Sequence, residues 1–459
     1  MTEARRIAVV DAGLLMLAVS LAYAKALAGP FQFDDYTVIV QADAVHGWAA
    51  WWDDLGHGLR PLLKLSYLLD WLAGFGAPGF HFTNLVIHAL NVWLVRGLVK
   101  HAVSCWLPAL DAGSARRAAL LAALIFALHP ANTEAVSYIC ARSVSLMGLL
   151  MLACLRVHRL ESPLGSLAAS WTLFGFALAV KEPAAMLPLL MWLGDRYGIG
   201  RQYDSRRAAL LRYAPYALLL LGLLLGFVPQ SRYREFLLGS LGARAIDDNL
   251  WSQIGALRYL LELALLWRVP NIDPELAEAQ GYAPSLLLQA LAGLALLVLA
   301  LRSRRPWLGW GLLWFVLQLL PTNSLLPRND LVNDRQLYLA GIGLWTALAV
   351  ELASRGLLRR PWLAASGIAG LALVIGAATV ARNRDYGSEV ALWRATTLAS
   401  PGKARPWNNL GYALQLAGCR QQALMAYERA LALDPEHERA RHNRDALLAL
   451  KLPEACRES

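Results

Sequence analysis

The sequence predicts an all-α, polytopic membrane protein that ends in a small helical module. Of its 459 residues, 57% are hydrophobic and only 17% are charged, whereas a soluble domain carries about 25% charged residues. Apolar runs of about 18–22 residues recur as far as about residue 380, and each is long enough to cross a hydrocarbon core of about 30 Å. The mean hydropathy is +0.41. Because a soluble fold could not bury so many helices that are apolar on every side, the composition excludes a soluble protein.

We expect about eleven membrane-spanning helices from the lengths of these runs. The first follows Arg5 and Arg6 as in a signal peptide, but so many later spans favour a helix that is retained. The segment 250–268 is interrupted by Arg258 and Glu262, which predicts a re-entrant or interfacial helix. The other spans are expected at about 80–100, 117–129, 143–157, 164–180, 183–195, 208–228, 283–301, 306–320, 336–353 and 362–380.

The charges of the loops between the spans predict the side of the membrane on which each loop lies. The chain carries 43 Lys and Arg against 33 Asp and Glu, a net charge of +10. The basic residues gather in alternate short loops, as the positive-inside rule requires of cytoplasmic loops. The loop after the first span is acidic instead, with Asp34, Asp35, Asp43, Asp53 and Asp54. We therefore expect this loop and the C-terminus outside the cytoplasm. We attribute the positive net charge to the cytoplasmic loops and not to nucleic-acid binding.

Beyond about residue 382, polar residues return, which divides the chain into a membrane domain, 1–381, and a helical domain, 382–459. A tetratricopeptide pattern occupies 403–436. It is formed by Trp407, Leu410, Gly411, Ala423, Tyr427, Ala430 and Pro435. Because such repeats usually need about three copies for stability, we expect this one to pack on the membrane domain. It is either a structural cap or a docking surface, and Cys419 could pair with Cys456 in an oxidising compartment.

Two adjacent carboxylates follow the first span, in the motif FQFDDY at residues 31–36. Asp34 and Asp35 repel each other, so one of them can have a raised pKa. A general base that deprotonates a hydroxyl needs such a carboxylate. The alternative is that acids lie here only because the positive-inside rule disfavours basic residues in outer loops.

A second group of candidates lies in the motif HPANTEAVSYICAR, residues 129–142. Its His-Pro pair stops a helix, and Glu134 then lies in the first turn of the next helix, where the helix dipole favours an acid. Arg142 lies at the mouth of the following span, where a guanidinium suits an anionic headgroup or a phosphate. His129 is more often a packed side chain than a metal ligand.

A third group lies farther along the chain. Lys181 and Glu182 separate two apolar runs, and ionisable groups at membrane depth suggest function, although Lys181 could snorkel to the interface. A later outer loop contains four residues that could reach a polar ligand: Arg328, Asp334, Arg335 and Tyr338. The sequence contains no P-loop, GxGxxG, GxSxG or HExxH motif, so neither the usual nucleotide cradles nor the usual hydrolase sites are indicated.

Six motifs, taken in order, resemble the transmembrane-and-tetratricopeptide O-mannosyltransferase family and its bacterial relatives, within the GT-C glycosyltransferases. They are FQFDDY, RPLLKLSYLLD, GFHFTNLVIHALN, HPANTEAVSYICARS, KEPAAMLP and NDRQLYLAGIG. The resemblance covers nearly the whole chain and includes the repeat. The chain departs from the family at Asp334-Arg335, where Glu-Arg is common, and in the number of repeats, which is usually larger.

The resemblance implies an inverting enzyme that moves one sugar from a polyprenyl-phosphate carrier to a Ser or Thr hydroxyl of an exported protein. An acidic residue of the first outer loop would act as the base, which assigns this role to Asp34. Asp35 would orient the acceptor or bind Mg²⁺ or Mn²⁺ if a divalent cation is used. The implied ligands of the donor phosphate are Arg142, Lys181 and Arg335. The other expected substrate contacts are Arg60, His129, Glu134, Glu182 and Tyr338.

The resemblance also implies a bacterial inner-membrane protein whose active site and repeat face the periplasm. Two other functions stay open at this point: an enzyme that modifies an envelope lipid or glycan, and a non-catalytic scaffold whose repeat recruits partners. A transporter is disfavoured because no internal halves are detectable and because the acids lie at a membrane boundary, not at mid-membrane. The sequence leaves the sugar open.

Overall fold

The computed structural model describes residues 2–56, 58–160, 163–227, 231–323, 327–449 and 456. These residues form twenty α-helices, joined by short 3₁₀ and π turns and irregular loops, and no β-strand. In chain order the helices are α1 (Glu3–Tyr23), α2 (Trp48–Asp54), α3 (Pro61–Ala73), α4 (Gly76–Trp106), α5 (Ala112–Leu128), α6 (Thr133–Ser137), α7 (Arg142–His158), α8 (Pro163–Val180), α9 (Leu187–Arg196), α10 (Arg206–Phe227), α11 (Ser231–Ala243), α12 (Ile246–Ala264), α13 (Pro284–Arg302), α14 (Pro306–Leu319), α15 (Leu337–Ser354), α16 (Pro361–Asp385), α17 (Glu389–Ala399), α18 (Ala404–Leu416), α19 (Arg420–Leu433) and α20 (Glu438–Ala449).

The predicted all-α membrane architecture is confirmed. Among the described residues, seven helices are long and apolar enough to cross a membrane: α1, α4, α7, α10, α13, α15 and α16. Helices α5 and α6 form an eighth candidate that is bent by 51°, and α8 and α14 are shorter apolar helices. Helix α9 has ten residues. Each of the eleven predicted spans therefore corresponds to a helix, but the count of about eleven crossings stays a prediction.

The bend between α5 and α6 has a local cause. Helix α5 ends at Leu128, immediately before the His-Pro pair, because Pro130 has no N–H to donate and its ring clashes with the preceding turn. The ring of His129 instead accepts a hydrogen bond from the N–H of Ala131 at 3.3 Å and so caps the 3₁₀ turn that follows. The predicted helix stop is therefore present, and it turns the chain so that Glu134 points into the protein.

Helix α1 is fixed inside the helical bundle by charge as well as by packing. Asp11 is completely buried and pairs with Arg96 of α4 and Arg116 of α5, and Leu15 and Val19 of the same helix are part of the apolar core. An unpaired carboxylate in this position would be costly, so the two guanidinium groups are needed for α1 to pack here. The retention of this first helix stays a prediction.

Helix α12 covers the segment predicted not to cross the membrane. It carries two acids in its first turn, and its buried face includes Asn249, Ser252, Gln253 and Tyr259. It is not among the described helices that are apolar enough to span, because polar residues occupy both of its faces. Its position at a membrane interface stays a prediction.

The C-terminal helices pack on one another and on the membrane domain. In α18, Gly411 allows α19 to approach closely, since a Cβ at this position would lie 2.6 Å from the ring of Tyr427. One buried cluster joins residues of α17 to α20 with Tyr138 and Ile272 of the membrane domain. The expected packing of this module on the membrane domain is thus present. Helix α16 runs to Asp385, so the predicted boundary at 381 lies inside a helix.

A second contact between the two domains is electrostatic. Asp273, in the loop after α12, is 3% exposed at its side chain and pairs with Lys403 and Arg405. Arg405 also lies 2.6 Å from Asp330, in the loop before α15. These pairs fix the start of α18 against two loops of the membrane domain.

Cys419 and Cys456 form a disulfide that links the turn before α19 to the end of the chain described here. We expect Cys419→Ser to destabilise the C-terminal module by about 3–4 kcal/mol, because the bond closes a long loop and restricts the unfolded chain. The measurement is the thermal midpoint for proteolysis of the module in the purified protein.

Cys105→Ser is the matched control, because Cys105 is an exposed, free cysteine. It should leave the proteolysis midpoint unchanged. The disulfide would be contradicted if Cys419 in the denatured, unreduced protein reacted with a maleimide as fully as after reduction.

Candidate active site

A cavity of about 470 Å³ opens between the start of α3, the turn after α8 and the loop that joins α14 to α15. Five charged side chains line it, and we call it the cationic cavity after them: Arg60, Lys181, Glu182, Arg328 and Arg335. One wall is apolar and is formed by Val144, Met147 and Leu339. The structure thus brings together four of the residues that the resemblance implies for substrate or donor binding. It places Arg328, which the sequence predicted could reach a polar ligand, beside them.

Two of these charges neutralise each other. Glu182 accepts two hydrogen bonds from the guanidinium of Arg60, at 3.0 and 2.9 Å. Burial alone would raise the pKa of Glu182, but the paired Arg60 guanidinium holds it below its ordinary value. Arg60 has a positive φ of 59°, a backbone conformation that is uncommon for a side chain of this size. The pair therefore joins the start of α3 to the turn after α8 and leaves no net charge.

Lys181 and Arg328 keep the cavity positive. No carboxylate among the described residues lies within ion-pairing distance of either side chain. Burial lowers the pKa of Lys181, and the neighbouring Arg335 and Arg60 lower it further. Burial likewise lowers the pKa of Arg328, with Arg335 as the next cause. The charges of Glu182 and, for Arg328, of Asp330 offset part of this effect. Because cations without a directly paired carboxylate favour an anion, the cavity suits a phosphate group.

Arg335 is held in place by Glu134. The backbone N–H of Arg335 donates to one oxygen of Glu134 at 2.8 Å, and its guanidinium lies 3.2 Å from the other oxygen. Glu134 is 2% exposed, so this contact is well shielded from water. The resemblance implies that Glu134 contacts the substrate; in the structure its carboxylate holds Arg335.

The two acids of the FQFDDY segment have different surroundings. Asp35 is 1% exposed, and its two oxygens accept the N–H groups of Gln32, at 3.0 Å, and Cys140, at 2.8 Å. Burial raises the pKa of Asp35 to about 7. Both oxygens are therefore used to shape the segment. The roles predicted for Asp35, orienting an acceptor or binding a cation, stay predictions.

Asp34 is exposed, and the charge of Arg335 is near enough to act on its carboxylate. Its N–H donates to the hydroxyl of Tyr138 at 3.0 Å. The surrounding protein raises the pKa of Asp34 by desolvation, while Tyr138 and the charge of Arg335 oppose the rise. Asp34 does not line the cationic cavity itself, but Arg335 is within electrostatic reach of it and lines the cavity. This carboxylate is the accessible one of the pair.

The FQFDDY segment is fixed by residues near the C-terminal module. Phe33 has a positive φ of 50°, and its N–H donates to a carboxylate oxygen of Glu389 at 2.5 Å. Its ring packs edge-on against Trp393 at 5.1 Å between centroids. The side-chain amide of Gln32 donates to the carbonyl of Tyr386 at 2.6 Å. A backbone held in an uncommon conformation beside a candidate base is typical of functional sites.

Arg142 is not part of the cavity. Its guanidinium is completely buried and lies 2.5 Å from Asp70. It also donates to Asn84 at 2.6 Å and to the carbonyl of Phe80 at 2.9 Å, and it lies over the ring of Tyr67. These contacts join α3, α4 and α7, so the geometry supports a structural role and offers no donor to the phosphate expected there.

His129 and Tyr338 are also packed inside the protein. His129 is 1% exposed and lies beside the ring of Trp345. The hydroxyl of Tyr338 is 2.8 Å from the ring of His88 and accepts from the amide of Asn91 at 3.0 Å. Neither side chain reaches the cationic cavity, so the structure does not bring these two predicted substrate contacts to the site.

Sequence reasoning missed Glu389. The only signal for it in the sequence is an acid in the first turn of a helix, just after the composition changes, and such acids are common because the helix dipole favours them. Its partner, the N–H of Phe33, is 356 residues away. A contact of this kind becomes visible only in the folded chain.

The fold and the cavity define a multi-pass, all-α membrane protein with a positively charged site. No protein-family model matches the sequence. Protein O-mannosyl-transferase TMTC1 from Homo sapiens is 25% identical over 94% of this chain and 56% of its own length. Protein O-mannosyl-transferase TMTC3 from Mus musculus is 24% identical over 92% of this chain and 51% of its own length. Tmtc1 from Drosophila melanogaster is 34% identical over a shorter part, 34% of this chain and 18% of its own.

These similarities confirm the predicted resemblance to the transmembrane-and-tetratricopeptide O-mannosyltransferase family. The chain spans about half the length of the relatives that it matches along most of its own sequence.

Arg142 and Lys181 should respond oppositely to replacement. We expect Arg142→Ala to lower the free energy of unfolding by about 3–5 kcal/mol, because it leaves Asp70 buried without its partner. Lys181→Met removes a cation that has no carboxylate partner among the described residues, so the thermal midpoint should stay the same or rise. The measurement is the thermal midpoint of each purified variant in detergent. A stable Arg142→Ala protein would contradict the structural role of Arg142.

Proposed function

We propose that the protein is a membrane glycosyltransferase that moves one sugar from a polyprenyl-phosphate carrier to a Ser or Thr hydroxyl of an exported protein. The observation that carries the proposal is the cationic cavity, in which Lys181 and Arg328 lack carboxylate partners among the described residues and Arg335 lies near the exposed Asp34. The names of the similar proteins, which are protein O-mannosyl-transferases, support the same reaction class.

The shape of the cavity supports a lipid-linked donor. Its basic residues suit the phosphate, and the apolar wall of Val144, Met147 and Leu339 suits the first units of a prenyl chain. A soluble sugar nucleotide would not need such a wall. Lys181 and Arg328 would bind the phosphate, and Arg60 would be positioned by Glu182 to contribute from the side.

The reaction needs a base and a stabilised leaving group. Asp34 accepts the proton of the acceptor hydroxyl, whose oxygen then attacks the anomeric carbon of the donor sugar. The bond between that carbon and the phosphate oxygen breaks, and its electron pair leaves with the polyprenyl phosphate. Attack from the face opposite the phosphate inverts the anomeric carbon. The negative charge that grows on the phosphate is opposed by Lys181, Arg328 and Arg335.

A divalent cation does not fit the residue proposed to hold it. A hard cation takes about six oxygen ligands, whereas Asp35 is a single buried carboxylate whose oxygens each already accept one backbone N–H. No group of three or more His, Cys, Asp or Glu side chains in the described part of the chain could hold a metal ion. We therefore route no step of the mechanism through a metal at Asp35.

We propose that the site faces the periplasm of a bacterial inner membrane. The positive-inside distribution of Lys and Arg supports this side for the FQFDDY segment and for the C-terminal module. The disulfide between Cys419 and Cys456 supports it too, because such bonds persist in oxidising compartments.

Asp34→Asn should lower the rate of sugar transfer by about 10²–10⁴, because the amide cannot accept the proton. Binding of the donor should be unchanged, since Asp34 does not line the cavity. In the unmodified protein the rate should fall as pH drops through the pKa of Asp34, because only the ionised form acts as a base. The first measurement is intact mass spectrometry of surface and secreted proteins from the wild type, a deletion strain, and that strain complemented with Asp34→Asn.

A pentose or hexose mass that is lost on deletion and not restored by Asp34→Asn is the expected result. If proteins are unchanged but envelope lipids or glycans lose the sugar, the acceptor is not a protein. If Asp34→Asn restores every difference, the general-base role is wrong and a scaffold function is favoured.

Glu389 should act as a positioning residue for Asp34. Glu389→Gln keeps a carbonyl oxygen that can accept from the N–H of Phe33, so it should retain most of the transfer rate. Glu389→Ala removes the acceptor and should lower kcat by about tenfold, with little change in KM for the donor, because the cavity is untouched. Equal loss in both variants would indicate that the charge of Glu389 matters, not its contact with Phe33.

A further inference from the structure

Asp330 has two arginines close to it, and its carboxylate pairs with the one that is more distant in the sequence. Arg328 lies two positions earlier in the irregular loop before α15, so the two Cα atoms are at most about 7 Å apart. The charge of Asp330 acts on the Arg328 guanidinium. Among the described residues, however, its ion pair is with Arg405 at the start of α18, at 2.6 Å. The loop that carries Arg328 into the cationic cavity is thus joined to the C-terminal module through its acid.

A second acid holds Arg405 in the orientation that this pair needs. The Nε of Arg405 donates to one carboxylate oxygen of Asp273 at 2.6 Å, and Nη2 donates to the other oxygen. Asp273 is buried, and Lys403 pairs with it as well. The same Nη2 of Arg405 donates to Asp330. Burial would raise the pKa of Asp330, but Arg405 holds it below its ordinary value, so the carboxylate stays ionised.

The cationic cavity would attract this carboxylate if Arg405 did not hold it. Burial and the neighbouring guanidinium groups lower the pKa of Arg328, because its positive charge is unfavourable there, and the charge of Asp330 opposes the decrease. A closer approach of Asp330 would therefore offset the repulsion among the cations. It would also neutralise Arg328, just as Glu182 neutralises Arg60 in the same cavity. A carboxylate in that position would compete with an anionic ligand.

We propose that Arg405 of the C-terminal module is a positioning residue that holds the carboxylate of Asp330 and so keeps Arg328 available to the donor phosphate. This inference rests on the proposed function, because it takes the anion in the cavity to be the phosphate of a lipid-linked sugar. It gives the C-terminal module a part in the donor site, in addition to either role, cap or docking surface, that the repeat pattern suggests.

The test compares two cations of the same module. Arg405→Gln removes the partner of Asp330, whereas Lys403→Gln removes a cation that, in the described part of the chain, pairs with Asp273 alone. Each of these variants leaves Asp273 with one cation. The full-length proteins are studied in nanodiscs, and the probe is a short-chain prenyl phosphate. Binding is measured and not the transfer rate, because the charge of Arg405 also acts on Asp34.

The expected result is a loss that a second substitution repairs. Arg405→Gln should weaken binding of the prenyl phosphate about 3- to 10-fold, because Asp330 then pairs with Arg328 and competes with the phosphate. Lys403→Gln should bind as the wild type does. Adding Asp330→Asn to Arg405→Gln should restore binding to the wild-type level, because the competing charge is gone. Arg405→Lys keeps a cation beside Asp330 and should lose less than Arg405→Gln.

A second comparison separates pairing from the general loss of a positive charge. In the Arg328→Gln background, Arg405→Gln should weaken binding no further, because its effect passes through Arg328. A long-range effect of charge would persist in that background. The positioning role of Arg405 is contradicted if the full loss persists there, if adding Asp330→Asn restores nothing, or if Arg405→Gln itself binds as the wild type does.

A readout without a donor tests the role of Arg405 independently of the proposed function. Phenylglyoxal modifies accessible guanidinium groups, and peptide mass spectrometry locates the product on Arg328. The rate of modification should fall in Arg405→Gln, because the guanidinium is then paired, and should recover when Asp330→Asn is added. If the rate does not change, the role of Arg405 is overturned. If the wild type binds no prenyl phosphate but the rate follows this pattern, the lipid-phosphate donor is overturned and the role of Arg405 stands.

Discussion

In a chain this apolar, removing an ion from water is costly unless the ion meets an opposite charge. The pair of Glu134 with Arg335 is where this constraint shapes the site. The bend at Pro130 brings the carboxylate inward, and there it holds both the backbone and the guanidinium of Arg335. This contact fixes the start of α15 and one wall of the cationic cavity. Lys181 and Arg328 have no such partner among the described residues, so the cavity keeps a positive charge that a ligand can neutralise.

Arg142 and Arg335 therefore differ in how they use their hydrogen-bond donors. Arg142 is enclosed by Asp70, Asn84 and two aromatic rings, and its donors are used to join helices. Arg335 uses part of its hydrogen-bonding capacity on Glu134 and keeps a quarter of its side chain exposed. The two arginines differ in their hydrogen-bond partners. A buried guanidinium with a full set of partners stabilises the fold, whereas a partly exposed guanidinium in a cavity keeps donors that a substrate can use.

Much of the fold follows from local properties of the sequence. Hydropathy predicts the apolar helices, the His-Pro pair predicts the end of α5, and the small residue at Gly411 predicts the close approach of α19. The partners of Arg142 could not be predicted, because charge alone does not say which distant carboxylate it meets.

The attachment of the FQFDDY segment to Glu389 has a consequence for biosynthesis. Phe33 is synthesised 356 residues before the carboxylate that accepts its N–H, which corresponds to roughly 20–70 s at about 5–20 residues per second. Asp34 therefore reaches its final geometry only after the membrane helices have been made and the start of the C-terminal module has emerged. Under the proposed function, the base is therefore placed only once the chain is nearly complete.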